Sequence, residues 1–243
     1  MIYIGAIATK AILENKNKKI EYIMIQLNKK DRNSSYIINL AKEKNVEVKY
    51  VERSIIDEIT NSKTHGGIIT SATNNNTNTI YSINHKNNNV IFLIDGIEDP
   101  YNLGYAFRSL YAFGINTCIL PNNHLISSDN IIVRSSAGAS EKIQQIISDD
   151  VVSDLKYLKD KGYQILLLKR STTSIPYFDY EYKGKIVICI GGEKRGLSKD
   201  IENQSNINID IPYTNNFKNA LNATSAITTI ASEIQRQKVK GLH

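Results

Sequence analysis

"VIFLIDGIEDPYNLGYAFRSLYAFGINTCILP", residues 90–121, reads as strand, helix, strand. The run 90–95 is continuously apolar rather than alternating, the pattern of a strand buried on both faces. After a turn, Leu103, Phe107, Leu110 and Phe113 or Gly114 fall on one side of a helix that starts near Leu103. "NTCILP" (116–121) is a second apolar strand. Continuous apolar strands joined by helices imply a parallel sheet covered on both faces. Ligands of such sheets bind beyond the carboxyl ends of the strands.

The same rhythm runs to the end of the chain. Helices are expected near 128–138 ("SDNIIVRSSAG") and 151–162 ("VVSDLKYLKDKG"). Strands are expected at "QILLLK" (164–169) and "KIVICI" (185–190), and a last helix at "ATSAITTIASEIQRQK" (223–238). Toward the N-terminus, residues 1–73 alternate on a smaller scale. "GAIATKAILEN" is helical with Ile7, Ala11 and Ile12 on one side, "IEYIMIQ" is a strand, and "SSYIINLAKEKN" is a helix with a Ser cap. "EVKYVE" (strand), "SIIDEITN" (helix) and "GGIITSA" (strand) follow. Between the two lies "NNNTNTIYSINHKNNN" (74–89), Asn-rich and nearly uncharged, which reads as a linker with "TIYSI" as a short strand. The expected organisation is therefore α/β throughout: a small unit at 1–73, a linker at 74–89 and a parallel-sheet unit at 90–243.

Composition narrows the class. A 243-residue chain that is 41% hydrophobic can bury a substantial core. No apolar run approaches the roughly 18 residues of a membrane span, and the first residues lack the order of a secretion signal. Cys118 and Cys189 sit in apolar runs, as reduced core thiols do, so a cytoplasmic location is expected. No metal site is expected. The net charge is +6, and residues 1–73 hold 12 Lys+Arg against 8 Asp+Glu. That balance favours a polyanionic partner. Lys (23) far outnumbers Arg (7), so where Arg stands its planar fork has a purpose.

Three stretches carry chemistry. In "DPYNLGYAFRS" (99–109), Asn102, Gly104 and Arg108 stand on the first turns of the helix. Helical side chains lean toward the N-terminus, so Arg108 can lie back over the bare Gly104 toward Asn102. A cation there opposes the helix dipole unless an anion joins it, and Arg binds phosphate bidentately. The same residues also read as an Asn cap, a close-packing Gly and a solvated Arg. In "IVICIGGEKRGLS" (186–198), Gly191 and Gly192 end a buried strand before Glu193 and Gly196. They read as backbone open to a ligand or as a plain glycine turn. In "IDIPYTNNFKNALNATSAITTIASEI" (209–234), Asn222 precedes a helix with Ala223, Ile227, Ile230, Ala231 and Ile234 on one stripe, and as a helix cap it needs no further role.

Taken in order, N-x-G-x-x-x-R after one strand, G-G-E-x-x-G-L after a later one, and I-P followed by L-N before the last helix resemble the SpoU/TrmH family of RNA ribose 2′-O-methyltransferases, of the SPOUT superfamily. "SSAGASEKI" (135–143) is similar to the family's Ser-x-Gly-Ala segment. "THGGII" (64–69) resembles the end of the L30e-like substrate-binding domain of bacterial 23S rRNA guanosine 2′-O-methyltransferases.

The resemblance implies an L30e-like RNA-binding domain at 1–73 and a SPOUT-type sheet with a C-terminal trefoil knot at 90–243. It also implies a homodimer and S-adenosylmethionine as cofactor. Gly191, Gly192, Gly196, Ile211 and Leu221 take the cofactor-binding positions, and Asn102, Arg108, Glu193 and Asn222 the catalytic ones. A guanidinium is effectively always protonated, so Arg108 suits orienting the 2′-hydroxyl and stabilising its developing charge better than acting as a base. Three departures stand out: Ala220 replaces the family's Ser, Tyr213 its Met, and "HGG" its His-Gln-Gly. His65 there reads as an RNA contact or as a strand cap. The expected substrate is 23S rRNA. A tRNA 2′-O-methyltransferase, or a non-catalytic RNA-binding ribosome-assembly factor on the same scaffold, are the alternatives.

Overall fold

Among the described residues, seven parallel strands form the larger of two sheets, in the order β7 (Gln144–Ser148), β6 (Thr117–Pro121), β5 (Val90–Asp95), β10 (Ile186–Gly191), β8 (Gln164–Leu168), β11 (Asn208–Asp210) and β9 (Ile175–Pro176). The computed structural model describes residues 1–74, 78–87, 89–122, 128–192, 195–205, 207–216 and 219–241. The elements of this sheet unit are β5 (Val90–Asp95), α4 (Pro100–Ala112), β6 (Thr117–Pro121), α5 (Asp129–Ser135), β7 (Gln144–Ser148) and α6 (Val151–Asp160). They continue with β8 (Gln164–Leu168), β9 (Ile175–Pro176), β10 (Ile186–Gly191), the short α7 (Lys199–Glu202), β11 (Asn208–Asp210) and α8 (Ala223–Val239).

The central strands are apolar on both faces because both faces are covered. Phe92, Ile94, Ile188 and Ile190 meet Leu103, Phe107 and Leu110 of α4 and Ile227, Ile230 and Ile234 of α8. On the opposite face, Ile91, Leu93, Val187 and Cys189 meet Leu155 and Leu158 of α6 and Ile201 of α7. Cys118 and Cys189 are free and buried, and burial pushes both thiols upward in pKa. The last helix is also pinned by polar contacts. Gln237 accepts from the Tyr182 N–H at 3.1 Å and donates to the Tyr180 carbonyl at 2.9 Å.

The smaller sheet has the order β1 (Ile2–Ile4), β4 (Ile68–Asn74), β2 (Lys18–Gln26) and β3 (Val48–Val51). Its unit runs β1 (Ile2–Ile4), α1 (Ala6–Glu14), β2 (Lys18–Gln26), α2 (Arg32–Glu43), β3 (Val48–Val51), α3 (Arg53–Thr60) and β4 (Ile68–Asn74). Leu13, Ile23, Ile25, Ile37, Ala41 and Ile68 form its core.

Several local expectations are corrected. Ile7 is exposed, and the buried side of α1 is formed by Ala8, Thr9, Ala11, Ile12 and Leu13. The cap of α2 is Asp31, in a reciprocal box with Ser34. "TIYSI" holds one 3-10 turn at Ile80–Ser82 instead of a strand. The described part of 74–89 is packed rather than a free spacer. Ile80 and Ile83 are buried in the core behind β5, and His85 lies 3.3 Å from both the Tyr157 and Tyr163 hydroxyls.

The two units meet over a mixed surface. Tyr3, Ala8, Ile12 and Ala72 pack on Val133 of α5. A Cβ on Gly138 would come within 2.6 Å of Ala11 Cβ. Beside this contact Lys18 is buried and ion-paired with Asp129, lies 3.6 Å from Glu141, and donates to the Tyr3 hydroxyl at 2.9 Å. The Tyr3 hydroxyl in turn donates to Asp129, and Asn15 to Glu141, both at 2.6 Å.

Candidate active site

A cavity of about 320 Å³ opens at the carboxyl ends of β8, β10 and β11. Leu168, Lys169 and Arg170 line it from β8, and Ile190, Gly191, Gly192 and Gly196 from the end of β10 and the turn beyond. Asp210, Ile211 and Tyr213 line it from β11 and the chain that follows. Ala220, Leu221, Ala223 and Ala226 close it from the entry and first turns of α8. Gly191, Gly192, Gly196, Ile211 and Leu221 therefore face one space, although 30 residues separate the first from the last.

The glycines have a more specific purpose than opening the wall to a ligand. A Cβ on Gly191 would stand 2.1 Å from the Gly196 carbonyl carbon, and one on Gly192 would stand 2.1 Å from the Gly96 oxygen. Real Cβ contacts do not occur at such distances, so both positions exist to let backbone meet backbone. The Gly196 N–H donates to the Gly192 carbonyl at 2.9 Å, which closes the turn. Asp95, at the end of β5, accepts the Ser198 N–H at 3.0 Å and holds the turn's far side. Glu193, next to Gly192 in the sequence, lies outside the described residues.

Tyr213 shapes the opposite wall. Its hydroxyl accepts the Leu221 N–H at 2.6 Å, bridging eight residues of loop. The Arg170 guanidinium stacks on its ring, 4.1 Å from the centroid. Lys169, next door, is ion-paired with Glu202 at 2.6 Å.

Asn102, Arg108 and Asn222 are not among the residues that line the cavity. Asn222 caps α8, its side chain accepting from the Ser225 N–H at 2.7 Å. Thr224 donates to the Asn102 carbonyl at 3.1 Å, so the first turns of α8 and α4 are joined. That join sets Asn102 close to the α8 turn whose Ala223 and Ala226 line the cavity. Helix α4 starts three residues before the expected Leu103. Asp99 is its cap, accepting from the Tyr101 N–H at 3.0 Å, and Pro100 is its first residue. Asn102 is thus inside the helix, not its cap.

Gly104 is not a gap for Arg108. A Cβ there would stand 1.9 Å from Ser135 Oγ and 2.9 Å from the Ile132 carbonyl, so the bare position is filled by α5. Arg108 itself is exposed, with no ion pair or hydrogen bond among the described residues. His65 is fully buried. Its Nδ1 accepts the Gly67 N–H at 2.8 Å and its Nε2 faces Asp57, whose carboxyl this bond holds below its usual range. It is a strand cap and not an exposed RNA contact.

Arg170 and Asp210 were not singled out in the sequence. For Arg170 a signal existed: it is one of the few arginines in a lysine-rich chain, and it performs a planar stacking that lysine cannot. A second groove, of about 410 Å³, lies between the units and is lined by Lys29, Asn33, Thr64, Gly66 and Arg134 among others. No helix among the described residues is long and apolar enough to cross a membrane.

Comparison with known proteins agrees with this geometry. Residues 89–232 match the SpoU rRNA Methylase family, and residues 4–77 match the RNA 2′-O ribose methyltransferase substrate binding family. The chain is 24% identical over 242 residues to a protein of Haemophilus ducreyi named 23S rRNA (guanosine-2′-O-)-methyltransferase RlmB, covering 97% of each. It is 26% identical over 220 residues to an uncharacterized tRNA/rRNA methyltransferase of Borreliella burgdorferi, covering 86% of this chain and 96% of that protein. Its fold is similar to the SpoU methyltransferase AviRb of Streptomyces viridochromogenes in complex with AdoMet, with a TM-score of 0.81 and 16% identity over 99% of this chain and 91% of that one. The first match spans more than half of the chain and takes in Asn102, Arg108, Gly191 and Asn222, so the protein belongs to the SpoU rRNA methylase family of RNA ribose 2′-O-methyltransferases.

Proposed function

We propose that S-adenosylmethionine, the methyl donor of this family's reaction, seats in the cavity at the ends of β8, β10 and β11, and that the acceptor is a ribose 2′-hydroxyl of 23S rRNA. The observation that carries the seat is the convergence of Gly191, Gly192, Gly196, Ile211 and Leu221 on one cavity of about 320 Å³. That volume lies at the small end of the roughly 300–1,000 Å³ typical of ligand sites. Its walls are largely apolar side chains and glycine backbone, which suit a flat heterocycle. When bound, the donor supplies an electrophilic methyl group on a sulfonium centre.

The chain's own residues supply the rest. Arg108 offers a planar guanidinium, so it orients the 2′-hydroxyl and its neighbouring phosphate and stabilises the alkoxide character that develops. Asn102, Glu193 and Asn222 complete the catalytic set by positioning the ribose and the cavity loops. Arg108 is exposed and does not line the cavity. The homodimer belongs to this reading, because a second copy of α4 can bring its Arg108 to a cavity that Arg108 of the same chain does not line. The basic N-terminal unit holds RNA phosphates, which position without reading sequence. In the groove between the units Lys29 is ion-paired with Asp31, and the exposed Arg134 offers a cation for that purpose. A trefoil knot in the C-terminal chain and a cytoplasmic location complete the proposal.

The relative named as a 23S rRNA methyltransferase matches along nearly the whole chain, which favours rRNA over tRNA. Labelled S-adenosylmethionine offered with 23S rRNA and with tRNA tests the assignment, and mapping of 2′-O-methyl sites in RNA from a deletion strain identifies the nucleotide. Transfer to tRNA alone changes the substrate. No transfer to any RNA by folded protein that binds the donor leaves the non-catalytic reading. Arg108→Ala is expected to abolish transfer while leaving donor affinity little changed. Sedimentation of the intact chain as a monomer under assay conditions would remove the dimer from the reading.

A further inference from the structure

The cavity carries an unusual charge pair. Three charged side chains line it among the described residues: Lys169, Arg170 and Asp210. Lys169 is neutralised by Glu202 at 2.6 Å. Arg170 has no carboxylate partner among the described residues. Its contact is the Tyr213 ring, which fixes the plane of the guanidinium but leaves its N–H edge available. Asp210 ends β11, where its carbonyl accepts the Tyr177 N–H at 2.8 Å. Its carboxylate has no hydrogen bond or ion pair among the described residues. One cation and one carboxylate thus line the same small space without neutralising partners.

Arg170 is exposed and Asp210 half-buried, so both stay reachable by a ligand in the cavity. A zwitterion answers both charges at once. We propose that Arg170 and Asp210 recognise the amino-acid end of S-adenosylmethionine, Arg170 taking the α-carboxylate and Asp210 the α-ammonium. The inference rests on the reading that this cavity seats that donor. The residue types suit the task. A planar arginine fork matches a carboxylate bidentately, and an ionised aspartate accepts from any of the three ammonium donors. Tyr213 links this pair to the rest of the wall, because the ring that orients Arg170 also holds the Leu221 N–H.

A ligand series read by calorimetry on the full chain tests the proposal. S-adenosylhomocysteine has both charged groups, decarboxylated S-adenosylmethionine keeps only the ammonium, and 5′-methylthioadenosine has neither. Arg170→Ala is expected to weaken S-adenosylhomocysteine about tenfold, the size of one charge-assisted hydrogen-bond pair near a surface. It should leave the other two ligands unchanged. Asp210→Asn is expected to weaken both amine-bearing ligands and spare 5′-methylthioadenosine. Arg170→Lys keeps the charge but loses the stacked fork, and should fall between wild type and Arg170→Ala. Equal weakening of all three ligands by Arg170→Ala would show a merely structural wall and overturn the proposal. Unchanged S-adenosylhomocysteine affinity with weakened RNA binding would assign Arg170 to a phosphate instead. Wild-type protein that binds none of the three ligands refutes the donor seat itself, and the proposal with it.

Discussion

An alanine at position 104 would place its Cβ 1.9 Å from Ser135 Oγ and 2.9 Å from the Ile132 carbonyl. The hydroxyl can rotate away, but the carbonyl belongs to α5 and cannot. Gly104→Ala is therefore expected to destabilise the protein by about 1–3 kcal/mol, the usual cost of overpacking, read as a lower urea midpoint. Shortening Ser135 to Gly in the same chain should recover only part of the loss, because the carbonyl clash remains. Sequence alone places a bare residue on the helix but does not say what fills the space. Side-chain direction along one helix suggested Arg108, whereas a neighbour 31 residues away occupies it. The Arg108 guanidinium is left exposed, as its proposed work on RNA requires.

At the scale of elements, α8 joins the first turn of α4, which carries Asn102, to the cavity. Its cap is Asn222, its next residues contact α4 and the cavity, and its far end is pinned by Gln237. Asn222→Ala should cost about 1 kcal/mol in stability through the lost cap. Asn222→Asp keeps a good cap but removes the amide donor. It is expected to hold the melting temperature and lower methyl transfer, which separates the capping role from the proposed catalytic one. Unchanged transfer in Asn222→Asp would confine the residue to capping. The stripe of Ala223, Ile227, Ile230, Ala231 and Ile234 is buried as its spacing predicts. By contrast, β1 and β7 escaped the sequence reading. β1 is only three residues long, and β7 ("QQIIS") is an edge strand paired on one side, so neither carries the continuous apolar run of a central strand.

Across the whole molecule, the two units are held by a buried charge cluster instead of a loose tether. Lys18 lies between Asp129 and Glu141, with its side chain and that of Glu141 each only 2% exposed. Lys18→Ala would leave both carboxylates buried without their cation and is expected to cost about 3–5 kcal/mol, measured by denaturant unfolding. Burial lifts the Glu141 carboxyl to about 7, against the partial opposing pull of Lys18. A folded-state value above the unfolded one means that its contribution is fully present below about pH 4.5 and is lost as pH rises through about 7. Wild-type protein should therefore lose this contribution between those pH values, and Glu141→Gln should flatten that part of the stability profile. An identical slope in the variant would assign it to another group.

The sequence by itself determined the α/β class, the central strands and the stripe of the last helix, while the residues that converge on the cavity were implied by the family resemblance of its motifs. The strands and the stripe follow from spacing, because burial on a strand or helix repeats with the geometry of the local chain and leaves its period in the residues. The tertiary structure alone decided which segments meet. It set Ser135 against Gly104, Gly96 against Gly192, Arg170 on Tyr213 and Lys18 among the carboxylates of the other unit. Such pairings join residues tens of positions apart, in one case more than a hundred, and no local period encodes them. They arise only when the sheets close and the charges left inside must find one another.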